Sequence, residues 1–203
     1  MKILKYEKTG SGKYRIILDN GEVIDTYDQV ILKDDLLLKS ELTASQYQQI
    51  FIENRFTEAY RLCVKYVAIR IRSTKEIRDY LIRKGFNEDE IEEVIRRLSN
   101  DRVLDDEHFT ECFIKDKLNF TGMGQYRIIA ELKKHDIANE MIDKYSYLWD
   151  KEVIIKRIDK LVDKQMKSNR KLDQYKLRNK IYYYLLNLGY YSDDIVTVLN
   201  YKF

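Results

Sequence analysis

The chain has 203 residues, which is enough for one large domain or a small array of domains. Of these residues, 44% are hydrophobic and 35% are charged. Its 37 basic and 34 acidic residues leave a net charge of +3, which excludes a strong overall electrostatic signature, so that any polyanion-binding surface needs local clustering. Proline is absent, although average usage of about 5% would give roughly ten, and this favours long helices.

Signals for export or membrane insertion are absent from the sequence. No apolar run approaches a membrane span, and residues 1–5 lack the apolar region of a signal peptide. We therefore expect a cytoplasmic protein. Cys63 and Cys112 both fall on apolar faces of predicted helices, which in a reducing cytosol indicates small core residues rather than a disulfide.

The N-terminal residues, 1 to about 32, are predicted to form a small antiparallel sheet. An Asn20-Gly21 turn between two apolar segments is typical of a β-hairpin. A glycine-rich turn at 10–12 predicts a third strand before it. Asp34 to Leu38 is predicted to form a helical turn, and a sheet of this size needs to pack on a helix.

Two helices are predicted next, from Thr43 to Ile52 and from Arg55 to about Ile71. The second begins the first of three repeats. Its predicted buried residues are Phe56, Ala59, Tyr60, Cys63, Val64 and Val67.

Two capping signatures follow this helix. Ser73 with Glu76, and Asn87 with Glu90, each predict a capping box at the start of a helix. Gly85 lies between them, where a left-handed residue ends a helix.

The same pattern returns at offsets of 51 and 104 residues, which predicts an internal repeat of about fifty residues. The equivalent positions are Ile77, Leu81, Gly85, Phe86, Ile91 and Val94, then Ile128, Leu132, Asp136, Ile137, Ile142 and Tyr145, then Ile181, Leu185, Gly189, Tyr190, Ile195 and Val198. Asp136 replaces a glycine, and Asp tolerates the left-handed conformation better than most residues.

Each repeat is predicted to be a three-helix unit. The first helix of the second repeat starts at an Asp105 cap, and that of the third starts near Asp150. Their predicted buried residues are Phe109, Cys112 and Phe113 in the second repeat, and Ile154, Ile158, Leu161 and Val162 in the third.

The predicted fold class is mainly α. Three tandem three-helix repeats stack into an elongated curved body, with a small N-terminal antiparallel β-hairpin or sheet. The predicted segments are residues 1–53 with the hairpin and short helices, 54–100 for repeat one, 101–150 for repeat two and 151–203 for repeat three.

Three motifs carry a family resemblance from about Arg55 to the C-terminus. They are Arg70-Ile71-Arg72-Ser73 with Glu76-Ile77, Leu81, Lys84-Gly85-Phe86 and Ile91; Leu104-Asp105-Asp106-Glu107-His108-Phe109; and Gly122, Arg127, Ile128, Leu132 and Ile137. Together they resemble the RecX family of recombinase regulators. Two positions depart from the family pattern: Asp136 stands for the usual glycine, and Gly122-Met123-Gly124 for a more basic, Gly-Pro-like segment.

The resemblance implies a protein that binds the RecA recombinase filament on single-stranded DNA along its helical groove. It implies suppression of filament growth, ATP hydrolysis, strand exchange and repressor co-cleavage, and so a place in DNA repair, recombination and the SOS response. We expect a monomer without cofactor or membrane contact, and single-stranded DNA is a further candidate partner.

Catalytic and metal-binding patterns are weak. His108, Glu111 and Cys112 share a helical face, but a metal needs more ligands, so a surface His–Glu pair beside a buried cysteine is favoured. His135 lies at a helix end, where a cation is favoured anyway. The sequence contains no P-loop, nucleophile elbow or Rossmann fingerprint, so no catalytic, cofactor or metal residues are predicted and an enzyme is disfavoured.

Basic residues recur near the second helix of each repeat and are the candidate contacts for a partner or for DNA. They are Arg70, Arg72, Lys75, Arg78, Arg127, Lys133, Lys134, Lys176, Arg178 and Lys180. Arg70 and Arg72 share a face only if the preceding helix has ended between them. None of Arg72, Lys75 and Arg78 lies on the predicted core stripe, so we expect them on an exposed edge.

Two alternatives to this interpretation stay open. Solvated helix faces always carry Lys and Arg, often paired with Asp or Glu. From the residues alone, an ordinary solvated face explains these cations as well as a binding surface does. The chain could also be a stand-alone DNA-binding or helical scaffold protein, which a steep salt dependence of binding without RecA would distinguish.

Overall fold

The computed structural model describes residues 1–33 and 35–203, which form two compact units, Met1–Leu104 and Asp105–Phe203. The first unit holds a small sheet and the first helical repeat. The second unit holds the second and third repeats. Within the described residues, no helix is both long enough and apolar enough to cross a membrane.

A three-stranded antiparallel sheet begins the first unit, with its strands in the order of the chain. The strands are β1 (Ile3–Gly10), β2 (Lys13–Leu18) and β3 (Val23–Tyr27). Gly12 and Gly21 have φ angles of 69° and 84° in the two connections, a conformation that glycine adopts without steric cost. The predicted antiparallel sheet is therefore confirmed.

The strands stop earlier than predicted. Helix α1 (Asp28–Lys33) follows directly, and it buries both Val30 and Ile31. Two consecutive buried side chains do not fit the alternation of a strand, so the prediction of strand to about residue 32 is wrong. A 3-10 turn at Leu36–Leu38 occupies part of the helical turn predicted from Asp34, and Asp34 itself lies outside the described residues.

A single helix of 24 residues, α2 (Ala44–Val67), replaces the two that the sequence predicts. Neither glycine nor proline interrupts residues 52–55. Asn54 directs its side chain to β3, where it donates to the Asp25 carbonyl at 3.1 Å and accepts from Thr26 at 2.7 Å. Because Asn54 does not cap a new helix, the chain continues helically, and the predicted break is wrong. The helix ends at Val67, so the predicted end near Ile71 is also wrong.

The first repeat continues with helices α3 (Thr74–Arg83) and α4 (Glu88–Asn100). Both predicted capping boxes form, at Ser73 with Glu76 and at Asn87 with Glu90. Gly85 has a φ of 80°, which confirms the left-handed helix end.

The second repeat has shorter helices than the third. Its elements are α5 (Asp106–Asp116), a π turn (Lys117–Thr121), α6 (Gln125–Lys133), α7 (Asn139–Asp143) and a 3-10 turn (Ser146–Trp149). The predicted Asp105 cap is confirmed, because its carboxylate accepts from the backbone of Glu107 and His108. Asp136 has a φ of 59°, so the left-handed turn survives without glycine.

The third repeat consists of three longer helices, α8 (Lys151–Ser168), α9 (Gln174–Leu188) and α10 (Ser192–Lys202). Asp150 caps α8 by accepting from the Val153 backbone at 2.9 Å. Gly189 has a φ of 91° between α9 and α10. The three tandem three-helix repeats of the predicted fold class are confirmed.

Equivalent positions of the repeats occupy equivalent places in the core. Leu81, Leu132 and Leu185 are each 0% exposed. The isoleucine and valine positions around them are also buried, whereas Tyr145 is half-buried at the edge. The repeat alignment therefore identifies the side chains on which the helices of each repeat pack.

A few predicted core residues lie nearer the surface. Val64 is 39% exposed, because it lies about 100° around α2 from the buried Cys63. In α5 the buried residues beside Phe109 are Thr110 and Ile114. The residues predicted in error to be fully buried are Val64, Cys112, Phe113, Leu161, Phe56, Tyr60 and Val67, of which all but Val64 are half-buried.

The division of the chain at residues 53, 100 and 150 stays a prediction. So does the elongated, curved shape of the whole chain.

Candidate interaction surface

Arg70 and Arg72 converge on one carboxylate in the first repeat. Helix α2 ends at Val67, before both arginines, and both then pair with Glu76. The Arg72 Nη1 atom lies 3.3 Å from Glu76 Oε1. Burial alone raises the pKa of Glu76, but the hydrogen bonds from Arg70, the Ser73 backbone and Arg72 outweigh it and lower this pKa.

Arg72 is part of the packing of the repeat. Its guanidinium lies 3.8 Å from the centroid of the Tyr66 ring, which in turn stacks on Tyr80 at 4.2 Å. Its side chain is only 10% exposed. Within the described residues, its Nε atom is buried without a hydrogen-bond partner. The prediction that Arg72 lies on an exposed edge is therefore wrong.

Lys75 and Arg78 lie on α3 as predicted, but each faces carboxylates. Lys75 pairs with Asp79 at 2.9 Å along the helix. Arg78 reaches across to α4, where the Glu92 hydrogen bond is the main cause of a raised pKa of the guanidinium. The four predicted cations of this repeat thus meet four carboxylates, those of Glu76, Asp79, Glu88 and Glu92.

The predicted cations of the second repeat are less neutralised. Arg127 and Lys133 on α6 are exposed, and neither forms an ion pair with any residue that the structure describes. Lys134 pairs with Glu131 at 2.8 Å, and this hydrogen bond lowers the pKa of the Glu131 carboxyl.

The predicted cations of the third repeat mostly contact neutral partners. Arg178 donates to the Asn200 amide oxygen and Lys180 to that of Asn169, both at 2.7 Å. Lys176 lies 3.6 Å from Asp173 in an exposed pair. Arg178 and Lys180 therefore keep their positive charge without an ion pair to any carboxylate that the structure describes.

The ten predicted contact residues divide between the two units. The four from Arg70 to Arg78 lie in the first unit, and the six from Arg127 to Lys180 lie in the second. A single continuous basic edge across both units stays a prediction.

A row of lysines along α8 escapes the sequence prediction, which considers only the second helix of each repeat. The row consists of Lys156, Lys160, Lys164 and Lys167. Spacings of four, four and three residues place them within about 80° of the helix circumference. They lie opposite the buried Ile154, Ile158 and Val162. The signal was available, because residues 151–203 contain twelve basic and six acidic residues, whereas the whole chain is only +3.

The acidic neighbours on α8 are already engaged. Lys202 of α10 lies 2.8 Å from Asp159 and 2.7 Å from Asp163, and both hydrogen bonds raise the pKa of the Lys202 amine. Tyr201 donates to Asp159 at 3.0 Å. These contacts hold the two aspartates on the side of α10.

As a result, most of the lysine row is not neutralised. In the described part of the chain, Lys160, Lys164 and Lys167 form no ion pair, and all three are exposed. Lys156 has one weak partner, Glu152, at 3.7 Å, and both of their side chains are largely exposed.

A groove of about 470 Å³ runs between α8 and the π turn. Lys156, Arg157 and Lys160 line one side. Arg157 donates to the Leu118 carbonyl at 2.6 Å and to the Asn119 side chain at 2.9 Å, and so ties the π turn to α8. Phe120, on the same turn, is 83% exposed.

The second and third repeats join through two glycines. Gly124 donates from its backbone to the Leu188 carbonyl at 2.8 Å, and Tyr126 donates to the Gly189 carbonyl at 3.0 Å. A Cβ atom on Gly124 would lie 2.3 Å from the Tyr190 nitrogen. In the sequence, Gly124 stands out only as part of the Gly122-Met123-Gly124 segment, and this close approach is not visible there.

The histidine and cysteine positions depart from the sequence prediction. Both ring nitrogens of His108 lie within 3.9 Å of the Cys112 sulfur, whereas Glu111 pairs with Lys115 at 2.5 Å, so the predicted His–Glu pair is wrong. Burial raises the pKa of the Cys63 thiol to about 12, which keeps it protonated. Among the described residues, no three His, Cys, Asp or Glu side chains are grouped to hold a metal ion.

Comparison with known proteins identifies the family. Family models described as the first, second and third three-helix domains of RecX match residues 59–98, 105–145 and 152–199 in succession. The chain belongs to the RecX family. The resemblance carried by the sequence motifs is therefore confirmed.

Relatives and solved structures agree with this assignment. A protein of Halalkalibacterium halodurans named regulatory protein RecX is 28% identical over 95% of this chain and 74% of its own length. Its counterpart of the same name in Clostridium botulinum is 26% identical, over 97% of this chain and 92% of its own length. A crystal structure of regulatory protein RecX has the same fold, with a TM-score of 0.82 at 22% identity over 98% of both chains. RecX from Lactobacillus salivarius covers 73% of this chain and 97% of its own, with a TM-score of 0.68 at 22% identity.

Proposed function

We propose that this RecX-family chain regulates a RecA recombinase by binding its filament on single-stranded DNA. The expected effect is mostly inhibitory, on filament growth, ATP hydrolysis, strand exchange and co-protease activity. The match of all three RecX domains carries this proposal. The chain acts as a monomer in the cytoplasm, and binding alone is sufficient, because a ligand that prefers one filament state shifts the filament toward that state.

The repeat architecture supports a multipoint contact. Each exposed charge contributes little to affinity by itself. Contacts made by several linked repeats act together, because the first contact raises the effective concentration of the others. A filament offers the same groove on successive protomers, so a tandem array suits it as a partner.

We assign the contact to the ten predicted basic residues. We rank them by whether a carboxylate pairs with each cation and by whether its side chain is needed for packing. Arg127, Lys133 and Lys180 keep exposed charges without a carboxylate partner among the described residues. Arg72 has a packing role and Arg78 lies between two glutamates, so these two contribute less.

The test is the ATPase activity of RecA on single-stranded DNA with increasing amounts of the chain. We expect the parent to inhibit it and a triple variant, Arg127→Glu, Lys133→Glu and Lys180→Glu, to lose most of that inhibition. The matched control is Lys8→Glu, Lys65→Glu and Arg83→Glu, which reverses three exposed cations that form no ion pair within the described residues.

A pull-down of RecA, with and without DNA and nucleotide, separates the function from its surface. If the parent neither binds RecA nor changes its ATPase, the proposed function is wrong, and a stand-alone DNA-binding or scaffold role replaces it. If the parent inhibits and the folded triple variant inhibits equally, only the assignment to these cations is wrong.

A further inference from the structure

We propose that the open edge of strand β3, together with the facing side of helix α2, is a docking groove for an extended peptide segment of a partner protein. The segment adds to the sheet as a further strand and carries a basic residue opposite Asp25, with apolar residues beside it. The groove lies wholly within the first unit. The inference is independent of the proposed function, because neither RecA nor DNA takes part in it.

A groove of about 610 Å³ follows the edge of β3. All five residues of the strand, Val23–Tyr27, line the groove, so it includes the strand edge itself. One side of α2 forms the opposite wall, through Tyr47, Phe51, Asn54, Arg55 and Glu58. Because β3 is an outer strand of the sheet, no strand of the described residues covers this edge. Extended peptides add to such edges through main-chain hydrogen bonds, and the neighbouring side chains give specificity.

The hydrogen bonds of the hairpin show which backbone groups of β3 can pair. Leu18 donates to Glu22 at 2.9 Å, which makes these two residues a hydrogen-bonded pair of the β2–β3 ladder. Hydrogen-bonded and non-hydrogen-bonded pairs alternate along an antiparallel ladder, so Val23 and Asp25 turn their N–H and C=O groups away from β2. Within the described residues, both groups of Val23 and the Asp25 N–H have no partner on that side.

Asn54 of α2 already makes one contact of the kind that an added strand would make. Its side-chain amide donates to the Asp25 carbonyl at 3.1 Å, and its side-chain oxygen accepts from Thr26 at 2.7 Å. A carbonyl oxygen accepts two hydrogen bonds, so Asp25 keeps one place. An extended backbone supplies alternating N–H and C=O groups at the spacing that Val23 and Asp25 require.

The charge of the added strand follows from the outer face of the sheet. Glu7, Arg15 and Asp25 lie opposite one another on β1, β2 and β3, so negative, positive and negative charges alternate across the sheet. The Arg15 Nε atom lies 3.0 Å from the Asp25 carboxylate, which stays 71% exposed. Opposite charges on directly opposed residues stabilise neighbouring strands, and like charges destabilise them. The next strand therefore carries Lys or Arg opposite Asp25.

Exposed apolar side chains define the neighbours of this cation. Val23 lies on the same face as Asp25 and is 52% exposed, so an apolar residue suits the position opposite it. Between these two positions, the residue opposite Ile24 turns its side chain toward α2. There it meets Phe51, which lines the groove about one helical turn before Asn54 and is 62% exposed. In an antiparallel pairing, the core of the segment is Lys or Arg, then a large apolar residue, then a second apolar residue.

A second copy of the chain does not fit this description. Its β3, Val23–Tyr27, contains no cation to place opposite Asp25. Its β1 is already paired at its start, where the Ile3 N–H donates to the Ser40 carbonyl at 2.8 Å. The occupant is therefore a segment of a different protein.

The experiment titrates the isotope-labelled full chain with a capped nine-residue peptide that has Lys-Phe-Val at its centre and Ser and Thr around it. Amide chemical shifts and hydrogen exchange are followed by NMR. We expect the Val23 and Asp25 amides to exchange fast in the free chain, and to shift and become protected when the peptide binds. Methylation of the peptide nitrogens of Lys and Val, which face β3 in this pairing, is expected to abolish binding. Methylation of the Phe nitrogen, which faces away, is expected to preserve it.

Side-chain variants test the two specificity contacts. A peptide with Glu in place of Lys is expected to bind about fivefold more weakly, and Asp25→Lys to reverse that preference. If Asp25→Lys melts early, Asp25→Asn replaces it and is expected to remove the preference. Phe51→Ala is expected to weaken binding about fivefold. Its matched control is Ile52→Ala, because Ile52 is the next residue of α2 and is 59% exposed, but lines a different depression.

Four results overturn the proposal. One is a set of Val23 and Asp25 amides that do not change at millimolar peptide. Another is equal binding of the Lys and Glu peptides, or of the peptide methylated at Lys and Val. The third is an equal loss of affinity in Phe51→Ala and Ile52→Ala. The fourth is protection of the two amides without peptide as the protein concentration and sedimenting mass rise, which would assign the edge to a second copy. None of these results bears on inhibition of RecA, so the two proposals fail separately.

Discussion

Replacing Gly124 by alanine tests how the second and third repeats are joined. The φ angle of Gly124 is −84°, which alanine adopts without strain. At a permissive position, a change from glycine to alanine stabilises a protein by about 0.4–1 kcal/mol, since it restricts the unfolded chain. The sequence alone therefore predicts a neutral or stabilising change.

The structure predicts the opposite sign. The new Cβ would lie 2.3 Å from the Tyr190 nitrogen and 2.4 Å from the Gly189 carbonyl carbon, whereas ordinary contact begins at 3.4 Å. These neighbours are backbone atoms, so relief requires the two repeats to separate by about 1 Å. That movement weakens the hydrogen bonds from Gly124 to Leu188 and from Tyr126 to Gly189. Overpacking costs about 1–3 kcal/mol and each of the two lost hydrogen bonds about 1 kcal/mol, which gives about 3–5 kcal/mol in all.

Urea unfolding measured by tryptophan fluorescence suits this test, because the single tryptophan, Trp149, packs against the core of the second unit. Gly10→Ala is the matched control, since a Cβ at Gly10 meets no atom of the described residues within 4 Å. We expect the control to change the free energy of unfolding by no more than about 0.5 kcal/mol. A Gly124→Ala variant as stable as the parent would refute the close packing of the two repeats.

Two further predictions follow from the repeat cores and from Arg72. Leu81→Ala, Leu132→Ala and Leu185→Ala should each lower the free energy of unfolding by about 2–5 kcal/mol, because each leucine is 0% exposed, and an unchanged melting temperature in any of them would break the repeat alignment. Arg72→Glu should lower the melting temperature clearly more than Lys75→Glu, since Arg72 is 10% exposed and stacked on Tyr66 whereas Lys75 is 33% exposed; equal melting of the two variants in thermal denaturation would contradict the packing role.

Features set by neighbouring residues in the chain were predictable. The capping boxes at Ser73 and Asn87 depend on residues three positions apart, and both form. The left-handed turn at Asp136 follows from its alignment with Gly85, and it too forms. The repeat pattern also predicts that Leu81, Leu132 and Leu185 lie in the core, because the three leucines occupy the same position on the apolar face of equivalent helices.

Features set by contacts between distant segments were not predictable in the same way. The α2 helix runs through the predicted break because Asn54 finds its partners on β3, about thirty residues earlier in the chain. The tight contact at Gly124 depends on Gly189 and Tyr190 of the next repeat. No spacing rule within one helix contains either contact.

The electrostatic surface shows the same limit most clearly. Along the sequence, Arg78 and Lys164 look alike, since each is a cation on an amphipathic helix. In the folded chain, Arg78 meets Glu88 and Glu92 from α4, whereas Lys164 meets no carboxylate among the described residues. The difference arises because Lys202, at the far end of the third repeat, engages the aspartates beside the lysine row. A basic residue therefore becomes a candidate contact only when the folded structure shows which carboxylates are already occupied, and by this criterion the strongest candidates lie in the second unit.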